Sequence, residues 1–236
     1  MRGVGPQWHN DGYFLRVPFS HVLYYIIKTP AQGRGGTHFC NTSRVYDVLE
    51  AAEQQRWAHL YSVNSSYGFV HPVVAEHPVT RKKHVFLHLG WTGAVYDAAQ
   101  KRLLDSTELA TLMRRYNELL SREDLCYKHV YQEGDAVFID NLTVAHRADP
   151  TAHEELQSVD AEAIIENSEE KEDEPKAKLR IVHRVTIKGQ DGILDPPPEV
   201  LPPVLDIAGP NPFNTDGVWF HGNTGFEWDS DKRLQN

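Results

Sequence analysis

His9 and Asp11 stand two positions apart, so on an extended segment an imidazole and a carboxylate point to the same side. That is most of the two-histidine, one-carboxylate set that holds a non-haem iron(II) ion with open positions for reactants. A chain with 13 histidines yields about one His-x-Asp pair by chance, so this pair gains meaning only from its company. Further along come Gly35-Gly36-Thr37, the run DNLTVAH ending at His146, and RIVHR, which carries Arg180 and Arg184. On a strand, Arg180, Val182, Arg184 and Thr186 share one face, while Ile181, His183, Val185 and Ile187 share the other. Two readings of that strand stay open. Either the apolar face is core and the arginines are solvated, or the arginine face points inward and each guanidinium requires an anion to offset its desolvation. A carboxylate met by two parallel N–H bonds suits arginine geometry.

The elements that must position these residues read mostly as strands. Residues 8–30 are extended in pattern, with HVLYYIIK as a buried strand ending at Pro30 and a glycine-rich turn from Gln32 to Gly36. Asn41, Thr42 and Ser43 offer capping oxygens to one amphipathic helix, RVYDVLEAAEQQRWAHL, whose apolar positions are Val45, Val48, Leu49, Ala52 and Trp57. Strands return from Phe69 to Leu89, broken by the turn Thr80–Lys83. A second helix is predicted from about Thr107 to Leu120, opened by Asp105 or Ser106 and carrying Leu109, Leu112, Met113, Tyr116 and Leu120 on one side. Next comes a predicted hairpin, CYKHVYQ and AVFID around Glu133-Gly134-Asp135, and later the strand LRIVHRVTIKG. Many strands with two inserted helices point to a mainly β sandwich or barrel rather than alternating βαβ units.

The order and combination of these pieces resemble the taurine dioxygenase-like family of iron(II)- and 2-oxoglutarate-dependent oxygenases. The resemblance is carried by WHND, the GGT turn, HPVVAEHPVT, FLHLGWTG, EGDAVFIDN and RIVHRVTI. It implies a double-stranded β-helix, a jelly-roll of cupin type, with inserted and flanking helices. It also implies that His9, Asp11 and His146 bind Fe(II), and that Thr37 and Arg180 hold the far carboxylate of 2-oxoglutarate. Arg184 is expected near an anionic substrate group, with Phe14 and Trp91 lining the substrate pocket. The implied reaction hydroxylates a small, anionic substrate such as a sulfonate or related carboxylate, consuming O2 and converting 2-oxoglutarate to succinate and CO2. Family members carry further strands before the metal motif, so the oxygenase domain, 1–190, is expected to be N-terminally short. Missing strands expose a sheet edge, which invites homo-oligomerisation. A catalytically silent relative serving as a binding module is the rival reading. A zinc hydrolase built on the same histidines leaves the arginine strand unexplained.

The net charge of −9 sits in one place: Glu154 to Glu174 holds ten carboxylates and one lysine, leaving the remaining charges balanced. Residues 152–178 are therefore expected to form a mobile acidic insertion, with a solvated helix over Ala161 to Glu166 as the alternative. A proline-rich extension, 191–236, follows the core. This charge pattern excludes nucleic-acid binding through a diffuse positive surface. The longest apolar runs, such as Val22 to Ile27, fall short of the roughly 20 residues of a membrane helix. Two cysteines, Cys40 and Cys126, allow at most one bridge, and no signal-peptide pattern is visible near residue 1, so a reducing cytoplasm is expected. Asn41, Asn64 and Asn141 each begin an N-x-Ser/Thr pattern that carries little weight without such a signal. His71, His77 and His183 are assigned to packing or surface.

Overall fold

A computed structural model describes residues 7–29, 35–65, 68–149 and 180–190, together with Leu194. The acidic insertion, the turn residues Gln32 to Arg34 and the proline-rich extension, save Leu194, lie outside the described residues.

The structure is mainly β, with twelve strands and three helices among the described residues. Two three-stranded antiparallel sheets form the sandwich that positions the site. In the first, β1 (Phe19–Lys28) lies between β10 (Ala136–Asp140) and β12 (Ile181–Lys188). In the second, β2 (Thr37–Asn41) lies between β11 (Val144–Ala148) and β9 (Cys126–His129). Val22 and Ile139 from the first sheet share one buried cluster with Phe39 from the second, so the two inner faces meet there. A four-stranded sheet, β3 (Leu60–Asn64), β4 (Val70–Pro72), β7 (Thr92–Asp97) and β8 (Arg102–Leu103), and the pair β5 (Val74–Glu76) and β6 (Lys83–Val85) complete the strands.

Three local expectations are corrected. The chain turns at Asp11–Phe14 instead of running extended from residue 8, and the first long strand starts only at Phe19. The first predicted helix is two helices, α1 (Thr42–Asp47) and α2 (Ala51–Trp57). Asn41 caps α1 as expected, accepting from the Ser43 and Arg44 amides. The chain then breaks at Glu50, which is extended and donates its amide to the Glu53 carboxylate, while Gln54 Nε2 satisfies the carbonyls of Tyr46 and Leu49. The break rotates the second half, so Leu49 and Trp57 are buried whereas Val48 and Ala52 face solvent. The predicted hairpin is not one: β9 pairs with β2 and β10 pairs with β1, so the turn at Glu133–Asp135 carries the chain from one sheet to the other. That crossing is what winds the two sheets into a jelly-roll.

Other readings hold. The helix α3 (Ser106–Leu120) is opened by Asp105, whose carboxylate accepts the Glu108 amide at 2.8 Å, and it buries Leu112, Met113, Tyr116, Leu119 and Leu120. These side chains join Cys40 and Ala145 in the largest apolar cluster, which covers the outer face of the second sheet. On β12 the question of faces is settled: Val182 and Thr186 are partly buried, whereas Val185 is 54% and Ile187 44% exposed. The arginine face is the inner one. The N-x-Ser/Thr asparagines are structural, since Asn41 is a helix cap and Asn64 and Asn141 are completely buried. His71 is buried, His77 pairs with Asp140 at 2.9 Å, and His183 is exposed on the outer face of β12.

Candidate functional site

His9 is joined to β11 as a single bridge: its amide donates to the His146 carbonyl at 3.0 Å, and the His146 amide donates back at 2.8 Å. This pairing sets the two imidazoles side by side, with ring centroids 4.3 Å apart. Directly after His9 the chain bends so that Asp11 returns to the same spot. Gly12 makes that bend with a φ of 75°, and a Cβ there would lie 2.8 Å from the Phe19 ring, so the position suits only glycine. Asn141 fixes the bend from the other side. Its Oδ1 accepts the Asp11 amide at 2.8 Å, and its Nδ2 donates to the carbonyls of Asp11 at 2.8 Å and Phe19 at 2.7 Å.

The outcome is one compact donor set. A ligand atom from each of His9, Asp11 and His146 lies within 4.8 Å of the other two. The His9 Nδ1–H donates to the Gln7 carbonyl at 2.7 Å, which leaves the Nε2 lone pair free. Burial holds both imidazoles below the ordinary histidine range, although the Asp11 carboxylate pulls His9 the other way. Neutral imidazoles are the form that binds a metal. Two imidazole nitrogens and one carboxylate around a shared point fit a divalent iron ion with its remaining positions open.

Two groups reach this set from the first sheet. Tyr24 and Arg184 are cross-strand partners on β1 and β12. The Tyr24 hydroxyl donates to Asp11 Oδ2 at 3.3 Å and lies 3.0 Å from His146 Nε2. Burial, and then the Asp11 charge, raise its ionisation well above the usual tyrosine range. Arg184 Nη1 donates to both Asp11 oxygens, at 3.2 and 3.3 Å, while its side chain stays 47% exposed.

Thr37 and Arg180 meet around Tyr131. The Tyr131 hydroxyl donates to Thr37 Oγ1 at 2.8 Å, and the Arg180 guanidinium lies 5.5 Å from the centroid of the Tyr131 ring and donates to the Gly35 carbonyl. Gly36 lets β2 start there, because a Cβ would come within 2.6 Å of the His129 carbonyl oxygen. Phe14 and Trp91 pack together with centroids 5.2 Å apart. His88 links them to the candidate metal donors, 6.0 Å from Trp91 and 5.7 Å from His9. Its Nδ1 accepts the Gly90 and Trp91 amides, and burial keeps it neutral, so its proton sits on Nε2. Of the eight residues singled out in the sequence, His9, Asp11, His146, Arg184, Phe14 and Trp91 are thus linked by direct contacts or through His88, whereas Thr37 and Arg180 form their own group around Tyr131.

Sequence reasoning missed Asn141, Tyr24, Tyr131 and His88. The inward phase of β1, which runs through Val22, Tyr24 and Ile26, was the available signal for Tyr24. The others become visible only through register and loop contacts.

Comparison with known proteins bears on the fold and the family. Solved structures share the fold: a taurine dioxygenase from Burkholderia xenovorans superposes with a TM-score of 0.61 at 19% identity, covering 78% of this chain and 57% of that one. AAD-2, solved in complex with Mn(II) and N-oxalylglycine, gives the same TM-score and identity over 81% of this chain and 71% of its own. In sequence, the chain is 25% identical over 173 residues to the alpha-ketoglutarate-dependent 2,4-dichlorophenoxyacetate dioxygenase of Cupriavidus pinatubonensis, matching 64% of this chain and 58% of that protein. It is 22% identical over 162 residues to the alpha-ketoglutarate-dependent dioxygenase cnsM of Penicillium expansum, matching 59% of this chain and 44% of that protein. The chain thus spans about half the length of these curated relatives. The family model for taurine catabolism dioxygenase TauD, TfdA matches residues 2–159, a span that holds His9, Asp11, Thr37 and His146. With more than half of its length matched by that model, the chain belongs to the TauD/TfdA family of alpha-ketoglutarate-dependent dioxygenases.

Proposed function

We propose that the protein is a 2-oxoglutarate-dependent dioxygenase that hydroxylates a small anionic substrate, a sulfonate or a related carboxylate. The observation that carries this reading is the convergence of His9, Asp11 and His146 to within 4.8 Å in a chain of this family. Bound there, iron(II) would supply dioxygen activation coupled to the oxidative decarboxylation of 2-oxoglutarate to succinate and CO2.

The remaining residues bind and orient. Thr37 and Arg180, both beside Tyr131, would receive the far carboxylate of 2-oxoglutarate, with the hydroxyl and guanidinium as donors. Arg184 would turn part of its hydrogen-bonding capacity from Asp11 to the substrate anion, its half-exposed position leaving it reachable. Phe14 and Trp91 form an apolar wall, and the His88 Nε2–H offers a donor between that wall and His9. Together they would orient the substrate carbon and exclude water.

Purified full chain supplied with iron(II), ascorbate and 2-oxoglutarate should form succinate slowly without any substrate, and faster with one member of a panel of sulfonates, aryloxy acids, betaines and amino acids. His146→Ala should abolish both. Failure of the wild-type chain to produce succinate while binding iron would leave the catalytically silent binding module as the correct reading.

A further inference from the structure

Cys40 and Cys126 face each other in direct register across β2 and β9, and nothing in the candidate active site uses either. Residues directly opposite on antiparallel strands have Cα atoms about 4.5 to 5.5 Å apart, inside the range of about 4.4 to 6.8 Å that a disulfide spans. The Cys126 amide donates to the Arg122 carbonyl at 3.1 Å instead of across the ladder, which fits the closer, non-hydrogen-bonded kind of pair. The Cys126 thiol donates to the Leu120 carbonyl at 2.6 Å.

Their surroundings differ in a useful way. Cys40 is buried in the core under α3, whereas Cys126 is partly exposed on the edge strand. The Cys40 thiol facing it, and after it the Arg147 guanidinium, favour the Cys126 thiolate against the cost of burial. The same contact, with burial, pushes the Cys40 thiol up. One thiol is therefore reachable and the more easily ionised of the two, and the other faces it in register.

We propose that Cys40 and Cys126 form an oxidation site that hydrogen peroxide closes to an intramolecular disulfide. The Cys126 thiolate attacks one peroxide oxygen, the O–O bond breaks, and the departing hydroxide takes a proton to become water. This leaves a sulfenic acid on Cys126. The Cys40 sulfur then attacks the Cys126 sulfur, the S–O bond breaks, and the Cys40 proton leaves with that oxygen as a second water. Two thiols and one peroxide thus become one disulfide and two waters. The bond fastens the strand that begins at Thr37 to the strand that leads into Tyr131.

The chain has no other cysteine, so the readout is clean. Metal-free full chain treated with stoichiometric hydrogen peroxide should lose both free thiols and two hydrogens by intact mass, remain monomeric on a non-reducing gel, yield a peptide joining Cys40 to Cys126, and revert with dithiothreitol. Cys40→Ser should stop at a Cys126 sulfenic acid that dimedone traps, and Cys126→Ser should keep its buried thiol reduced. Should Cys40→Ser fail to fold, phenylarsine oxide carries the test, since a close dithiol in the untreated wild type binds one equivalent across both sulfurs and Cys126→Ser loses this bidentate capture. Peroxide that drives Cys126 to sulfinic or sulfonic acid with Cys40 still free, links separate molecules, or leaves both thiols intact would overturn the proposal, as would an arsenical that does not bind the wild type.

Discussion

Asn141 and Asp11 are joined by reciprocal hydrogen bonds, side-chain amide to backbone, each 2.8 Å long. The amide of Asn141 acts as a piece of added strand for a loop that has none, and it places the carboxylate between two imidazoles fixed by their own backbone pairing. Because Asn141 is completely buried, no water can substitute.

Asn141→Ala should therefore loosen the Asp11 loop. Three hydrogen bonds at about 1 kcal/mol each predict a loss of about 3 kcal/mol in stability, read by urea unfolding. Metal affinity, measured by titration with Mn(II) or Co(II), should weaken by about 10- to 100-fold, the usual cost of removing support behind a ligand. Unchanged affinity in a folded variant would contradict the positioning role.

Tyr24 predicts the opposite sign. Its hydroxyl lies 3.0 Å from His146 Nε2, the nitrogen on the Asp11 side through which that histidine would bind a metal, so metal binding would displace that contact. Tyr24→Phe should lower the stability of the metal-free chain by about 1 kcal/mol and tighten metal binding by up to about tenfold, the scale of one hydrogen bond. The same titration, run beside Asn141→Ala, checks both. Weaker binding in Tyr24→Phe would instead make the phenol part of the metal's support.

How far the sequence reaches is clearest on β12. Its alternation separates an arginine face from an apolar face, but the usual inference that apolar faces are core is wrong here, because the outer face carries Val185 and Ile187 while Arg184 reaches Asp11. Pattern defines faces; only register defines inside. The same limit hid the true partners of β9 and β10, since a tight turn between two strands is silent about which sheet each will join. The candidate metal donors His9, Asp11 and His146, and with them Thr37, are legible because short motifs carry them. Asn141 stands inside two of those motifs and an N-x-Ser/Thr match, but its action on Asp11 spans 130 positions of sequence and no pattern signals it.

Arg180 and Arg184 share one strand face and should separate kinetically. Arg180→Ala, beside Thr37 and Tyr131, should raise the apparent KM for 2-oxoglutarate by about 10- to 100-fold, consistent with the loss of a hydrogen bond to a charged group. Arg184→Ala should leave substrate-free succinate formation measurable while raising the KM for the anionic substrate by a similar factor. Identical effects of both variants on the 2-oxoglutarate requirement would contradict the division of roles.

Acid should destabilise the fold through a histidine that has no part in the site. His84 on β6 is completely buried, and burial first, then the neighbouring His77, depress its ionisation to about 4 from the ordinary 6.5. Between those values the unfolded chain binds a proton that the folded chain refuses, so stability is full above pH 6.5 and falls as pH drops toward 4. The loss from this one group amounts to about 2 kcal/mol at pH 5 and about 3 kcal/mol at pH 4, relative to neutral pH. Urea unfolding of metal-free protein at several pH values gives the slope. His84→Phe, which cannot take up a proton, should flatten it by that amount while leaving neutral-pH stability within reach of the wild type. A slope unchanged by the substitution would place the acid sensitivity elsewhere, with His9 and His146, whose burial acts in the same direction, as the next groups to examine.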